Sequence, residues 1–482
     1  MDLNPTRIPF LNFNITNPND KIFSLVSSSG HSKMPSWVTS FSYVRKAPSL
    51  GAGVWSLSLS DPTFTLMDIM QSIFSGEDVT EDDVVNFASG RFSSGQPSSI
   101  PPSSGINPLG EVSFKYGHTT ASGVGGFQSE YIKGYITKIT PSIVSKHKLS
   151  VHMQGFDASL ELWKNSAQVS LDMFGGAGPR TLKEELIAVV ANINEFNPDT
   201  ILNVEFNFTS PELENLMVVH EDINSTDSVT TLSRFINSRG SMSFVQYCRY
   251  LEEQLSQHRI RFQFGATSNS NATTVTVKTE NRTGGVFVNT TSEDFVLVGG
   301  LLTTQVNDSR VISFDPTIEP LVPAMLGANR MIARLTDAET LETETVTVDL
   351  NDNEETNIIG DGVLSDSTVG EVVAPESISQ LNRDGAEKKM KYLQGWLSRI
   401  PFRASLRFQY IDVAREPYDF ISVFVATPQG KAFFTSGLYL ITEISDNITP
   451  GRFLTTYQMI KSGNQSLNTI VPALGSKDSD DE

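Results

Sequence analysis

Six histidines, a single cysteine and 55 carboxylates are the side chains from which this 482-residue chain could build an active site. His31, His118, His147, His152, His220 and His258 are scattered, and none sits in an HExxH pattern. His118, in Tyr116-Gly-His, reads as a turn residue at a strand end, and His147 and His152 as surface or core packing. The sequence holds no GxSxG elbow, no CxxC pair and no Walker loop. Gly175-Gly-Ala-Gly-Pro179 fits neither phosphate-loop spacing and reads as a flexible lead into a helix. Asp349, Asn351 and Asn353 resemble the start of a calcium loop. Glu354 stands where such a loop needs glycine, and Gly360 where it needs a bidentate glutamate, so a solvated loop is the better reading. Cys248 lies on an apolar helical stripe and reads as a core thiol. The sequence therefore assigns no catalytic residue, no cofactor-binding residue and no metal ligand, and the expectation is a protein that is not an enzyme.

The bulk properties point the same way. A net charge of -19 repels polyphosphate, because nucleic-acid affinity rests on Lys and Arg neutralising phosphates. One cysteine permits no intrachain disulfide, which suits a reducing compartment. The N-terminus lacks the basic start and apolar run of a signal peptide, and no stretch reaches the roughly 18 apolar residues of a membrane span. A mean hydropathy of -0.15 leaves ample apolar side chain for cores, and the length suggests two to four domains.

The elements that would position any site are mostly strands. Residues 1–34 are polar and turn-rich and read as an arm. Val38–Val44 and Val54–Leu59 alternate like a hairpin, and Thr65–Phe74 reads as one or two helical turns. Strands resume at Val112–Tyr116. In the middle, Thr181 and Glu184 form a capping box before a helix marked by Leu182, Leu186, Val189 and Ile193. A second helix runs from Ser243 to about His258, followed by strands near Arg259–Phe264, Thr273–Lys278 and Asp294–Val298. An acidic insertion spans 335–376, with an edge-strand pattern at Glu344–Asp349, and a third helix covers 375–398. Leu438–Ile444 alternates again, Asp446-Asn447 and Pro450-Gly451 supply turn chemistry, and Phe453–Ile460 returns. The tail, 466–482, is acidic and reads as disordered.

Ile136-Thr-Lys-Ile-Thr-Pro-Ser-Ile143 matches Ile441-Thr-Glu-Ile-Ser-Asp-Asn-Ile448 without a gap, and Leu149 then falls on Leu454. Two readings are open: a chance match of Ile/Thr alternation, which is cheap in strands, or two copies of one β-domain in a single chain.

Pro417-Tyr-Asp-Phe-Ile-Ser-Val-Phe-Val425, Thr435-Ser-Gly-Leu-Tyr-Leu-Ile-Thr442 and Pro450-Gly-Arg-Phe-Leu-Thr-Thr456 resemble the baseplate hub proteins of contractile-tailed phages and related injection machines. Trp55-Ser-Leu-Ser-Leu-Ser-Asp-Pro62 and Ser309-Arg-Val-Ile-Ser-Phe-Asp-Pro316 agree. The resemblance implies a mixed α+β, β-dominated chain. An arm (1–34), a first tube-like β-barrel (35–170), an α+β middle domain (171–308), a second barrel (309–465) and the tail would follow in order. It implies a homotrimer at the end of the tail tube, assembled in the host cytoplasm and carried in the virion. Its partners would be the tail tube protein, the central spike, other baseplate or wedge proteins and the tape measure protein, with double-stranded DNA passing through unbound. Phe420, Val423, Val425 and Tyr439 exceed what one sheet face needs and are expected at a subunit interface. The rivals are a single-ring tail-tube or terminator protein, a tail-associated peptidoglycan hydrolase and a β-rich carbohydrate-binding protein.

Overall fold

In the computed structural model, the described residues fall within 7–61, 110–219, 230–279, 295–298, 311–318, 328–349, 369–373, 387–390 and 402–463, with short gaps inside several spans. Alternation of apolar and polar residues produces a β-dominated chain, as expected. The strands needed below are β1 (Arg7–Thr16), β2 (Ile22–Val26), β3 (Val38–Lys46), β4 (Val54–Asp61), β5 (Gly110–Thr120), β6 (Ile132–Ser145) and β7 (Lys148–Asp157). The middle holds α1 (Leu182–Phe196), β8 (Val204–Phe208), α2 (Phe244–Gln254), β9 (Ile260–Phe264) and β10 (Thr273–Thr279). Then come β11 (Phe295–Val298), β12 (Val311–Ile318), β13 (Ala328–Thr336), β14 (Thr343–Asp349), β15 (Val369–Val373), β16 (Phe402–Gln409), β17 (Phe420–Ala426), β18 (Gly437–Thr449) and β19 (Arg452–Gly463). Very short elements are left unlabelled.

One sheet carries both ends of the chain, in the order β12-β16-β19-β18-β3-β4-β7-β6-β5-β1-β2, with β17 on β18 and β11 on β17. Among the described residues it is open, ending in β12 and β2, and the strands of the two expected tube-like barrels share it without closing a barrel. A single apolar core runs beneath it, from Phe13, Phe41, Trp55 and Phe114 to Ile441, Ile444 and Tyr457. Aromatic rings meet edge to face at its centre, Phe13 and Trp55 at 5.3 Å and Phe41 and Phe114 at 5.3 Å.

The stretch expected as an arm, 1–34, contains strands. β1 pairs with β5 along its whole length and buries Leu11, Phe13 and Ile15. The polar stretches around it hid a strand whose apolar residues alternate. At the other boundary, Leu162 joins the middle core rather than the sheet, and β11, placed in the middle domain by the sequence, pairs in parallel with β17.

The middle is α+β as expected. Thr181 and Glu184 exchange bonds, Thr181 N–H donating to Glu184 Oε2 at 2.8 Å and Glu184 N–H to Thr181 Oγ1 at 3.2 Å. Ser243 and Gln246 close a second capping box at the start of α2. The two helices bury Leu186, Val189, Phe244 and Leu251 against the sheet β8-β10-β9. β14 forms as an edge strand of a separate sheet, β14-β13-β15, whose described strands pair only with one another. The helical turns at 65–74, the loop 351–366, most of the helix 375–398 and the tail lie outside the described residues.

The repeat read from the two hairpins extends to five strands. β3-β4-β7-β6-β5 and β12-β16-β19-β18-β17 share order and antiparallel pairing. They also share irregularities. β6 bulges at Thr137, opposite Gly155 and Gln154, and β18 bulges at Thr442, opposite Met459 and Gln458. β3 skips Thr39 where β12 skips Ile312. Two bulges at matched places are hard to obtain by chance alternation, since a bulge is a specific inserted residue. Core volume is compensated between the copies: Trp55 sits opposite Gly155, and Ala404 opposite Met459. A Cβ at Gly155 would lie 1.8 Å from the Tyr135 carbonyl and 2.7 Å from the Trp55 ring, so only glycine fits under that indole. The hairpins differ at the turn. Ile143 pairs with Leu149 and Ile448 with Phe453, so Leu149 corresponds to Phe453 and not to Leu454.

Candidate assembly interface

The two copies are joined where β3, the first strand of the first copy, adds to the second half of β18 in the second copy. Lys46 pairs with Glu443 and Phe41 with Ile448, in unbroken register. The junction is fastened by charge. Arg45 donates from Nη2 to Asp446 Oδ2 at 3.0 Å and from Nη1 to Glu416 Oε1 and the Arg415 carbonyl, both at 2.8 Å. Asp446 is fully buried and accepts two further bonds, from Tyr116 Oη at 2.7 Å and Thr455 Oγ1 at 2.6 Å. One carboxylate thus ties β3, β5 and β19 together, with the desolvation cost met by hydrogen bonds to both oxygens. Lys46 and Glu443 add a looser pair at 3.9 Å.

Asp446 was read from sequence as turn chemistry, and that is corrected: Asp446 and Asn447 lie inside β18, and only Pro450-Gly451 make the turn. The available signal was position. Asp446 stands between Ile444 and Ile448 on the buried face of an alternating strand, where a carboxylate needs a partner.

Nearby, Tyr43 Oη donates to Asp157 Oδ2 at 2.6 Å, and Ser159 donates to Asp157 from both its N–H and its hydroxyl. Burial pushes the Asp157 carboxyl above its usual range, against the bonds from Ser159 and Tyr43. A cavity of about 390 Å³ opens beside the junction, walled by Tyr43, Arg45, Asp157, Gln263 and Glu416. Of its charged walls, Arg45 pairs with Glu416, and Asp157 accepts from Tyr43 and Ser159.

Among the described residues the matching edge of the first copy is open. Glu443–Ile448 of β18, covered by β3, correspond to Lys138–Ile143 of β6, which pair with β7 on one side only. Lys138, Thr140, Pro141 and Ser142 are exposed, and Ile143 is 73% exposed where its counterpart Ile448 is 0%. The strand that corresponds to β3 is β12, which among the described residues ends the sheet and pairs only with β16.

The residues expected from sequence at a subunit interface lie on β17 and β18. Val423 and Tyr439 are buried in the chain's own core at 0% and 2% exposure, and Phe420 is half-buried against Tyr418, Leu440 and Ile460. Val425 pairs through its backbone with Leu297. Among the described residues Val423 and Tyr439 are paired on both sides, whereas Phe420 pairs only with Leu440 and Val425 only with Leu297. His118 is no turn residue at a strand end: it is fully buried inside β5, its ring 5.1 Å from Tyr410 and 5.5 Å from Phe453. Cys248 is buried, and burial raises its thiol well above the ordinary value, which suits a core residue. Among the described residues no group of three or more His, Cys, Asp or Glu side chains is placed to hold a metal ion. No described helix is long and apolar enough to cross a membrane.

No protein-family model and no curated protein matches the chain. Solved structures similar to it include tail proteins and a PdpA-VgrG complex. They include the tail protein from Neisseria meningitidis MC58, at 9% identity and a TM-score of 0.49, covering 94% of this chain and 96% of that one. They include also the 43 kDa tail protein of prophage MuSo2 from Shewanella oneidensis, at 10% identity and a TM-score of 0.49, covering 94% and 98%. The Francisella PdpA-VgrG complex is similar at 10% identity and a TM-score of 0.44, covering 96% of this chain and 54% of that one.

Proposed function

We propose that the chain is a structural virion protein, a homotrimeric baseplate hub that joins a six-fold tail tube to a three-fold central spike. The observation that carries the reading is the duplication. One chain holds two copies of a five-strand unit, already joined edge to edge by β3 on β18, with one matching edge of each copy unpaired among the described residues. Three such chains arranged head to tail supply six copies, which is what a change from six-fold to three-fold symmetry needs. In this reading the barrel is closed by the ring rather than by either copy alone. The tube would rest on the six similar units, and the spike and wedge proteins on the parts that occur three times. The motifs resembling hub proteins lie largely on strands of the two copies, in β4, β12, β17, β18 and β19. A net charge of -19 per chain suits a channel through which DNA slides without sticking.

Electron microscopy of the isolated protein tests this. A ring of six similar lobes with three-fold symmetry is expected, and a ring of six identical chains would favour the single-ring tube or terminator reading. The hydrolase reading predicts clearing of a peptidoglycan substrate, and the structural reading predicts none.

A further inference from the structure

The internal junction specifies its own intermolecular counterpart, residue by residue. On the hub reading, on which this rests, we infer that chains join by laying β12 of one copy along the open half-edge of β6 in the next, repeating the pairing of β3 with β18. The matched bulges fix the alignment: Thr137 corresponds to Thr442 and Thr39 to Ile312. Carrying the β3–β18 register across, Ile143 meets Phe314, Ser142 meets Asp315, Pro141 meets Pro316, Thr140 meets Thr317, and Ile139 meets Ile318.

Three observations favour a second copy as the occupant. First, the pair that ends the internal junction, Phe41 with Ile448, recurs in kind as Phe314 with Ile143. Ile143 is 73% exposed in the single chain although its internal counterpart is 0% exposed, so the apolar residue awaiting cover is the one the register assigns to a phenylalanine. Phe314 is only partly buried, its ring edge to face with Tyr439 at 5.9 Å. Second, both open strands carry proline at the same step. Pro141 and Pro316 correspond to Asp446 and Tyr43, which face each other across the internal junction. Proline is tolerated in a strand when its missing N–H faces an unpaired edge, and it discourages indiscriminate strand addition there. Where the two prolines meet, the ladder loses its hydrogen bonds and widens, and the pairs on either side carry the contact. Third, the charge lock of the internal junction has no copy at the open one: Pro141 stands in place of Asp446. The intermolecular contact is thereby the weaker and reversible one, formed after each chain has folded.

The test is disulfide capture between Thr140 and Thr317, both exposed and opposite in the inferred register. Opposed Cβ atoms across antiparallel strands lie about 4.5–5.5 Å apart, close to disulfide reach. Chains carrying Thr140→Cys and chains carrying Thr317→Cys are prepared separately, mixed and oxidised, with light scattering on the same samples. Cys248 is buried and serves as the common background. A covalent dimer that appears on mixing and from neither variant alone is expected, and the doubly substituted chain should yield covalent trimers. Trimers by light scattering without cross-linking would overturn the β12–β6 contact while leaving the hub reading standing. A monomer at every concentration would overturn both.

Discussion

Thr137 and Thr442 do the same thing at opposite ends of the chain. Each is the extra residue of a β-bulge, and each donates its hydroxyl to the carbonyl of a glutamine on the partner strand, Gln154 at 3.2 Å and Gln458 at 3.0 Å. The bulge turns the strand so that its first half meets one neighbour, β5 or β17, and its second half is free for another. Replacing either threonine by valine keeps the branched Cβ and removes the bond. Each change should cost about 0.5–1 kcal/mol in urea unfolding. Equal and small losses at the two sites are the expected outcome; a large loss at only one would argue that the two bulges do different work.

The internal junction should be sensitive to Arg45. Arg45→Met leaves the buried Asp446 with Tyr116 and Thr455 but without its guanidinium, at a cost of about 3–5 kcal/mol. Adding Asp446→Asn removes the stranded charge and should recover part of that loss. A double variant no more stable than Arg45→Met would contradict the assignment of Asp446 as the anchoring charge.

Val423→Asp places a carboxylate at a fully buried position beneath β17, costing several kcal/mol. Because the side chain is already covered within one chain, the loss should appear as lowered thermal stability by circular dichroism. A variant as stable as the parent but unable to assemble would put Val423 at the subunit contact instead.

Lys461 gives a pH dependence. It is buried, and burial lowers its pKa from the ordinary 10.5 to about 8. Between about 8 and 10.5 the unfolded chain holds this proton more tightly than the folded one, so stability rises with pH across that window. Below it, both states are charged and the full burial penalty remains. Denaturant midpoints measured from pH 7 to pH 10 should climb in the parent, and Lys461→Met should flatten the climb. An unchanged slope in the variant would assign it to another group.

What the sequence showed and hid follows from the physics of strands. The hairpin repeat was legible because Ile136, Ile139 and Ile143 repeat as Ile441, Ile444 and Ile448, a spacing that burial enforces fully in the second copy and at Ile136 in the first. The capping box of Thr181 and Glu184 was legible because a hydroxyl and its partner three residues on leave a local mark. The continuity of the sheet was not, since β3 on β18 joins residues about 400 positions apart and no local pattern announces it. Asp446 was misread for the same reason: beside Asn447 it looks like a turn until Arg45 arrives from the far end of the chain. β1 was missed because its buried face, Leu11, Phe13 and Ile15, is flanked by turn-rich sequence that looks like an arm.

The native mass of the full chain in solution bears most directly on the hub reading. Size-exclusion chromatography with light scattering, run over a range of concentrations, should give a particle of three times the 52.9 kDa chain mass. A mass of six chains would point to a single-ring tube or terminator, and a particle that stays at one chain at the highest concentration would contradict the trimeric hub.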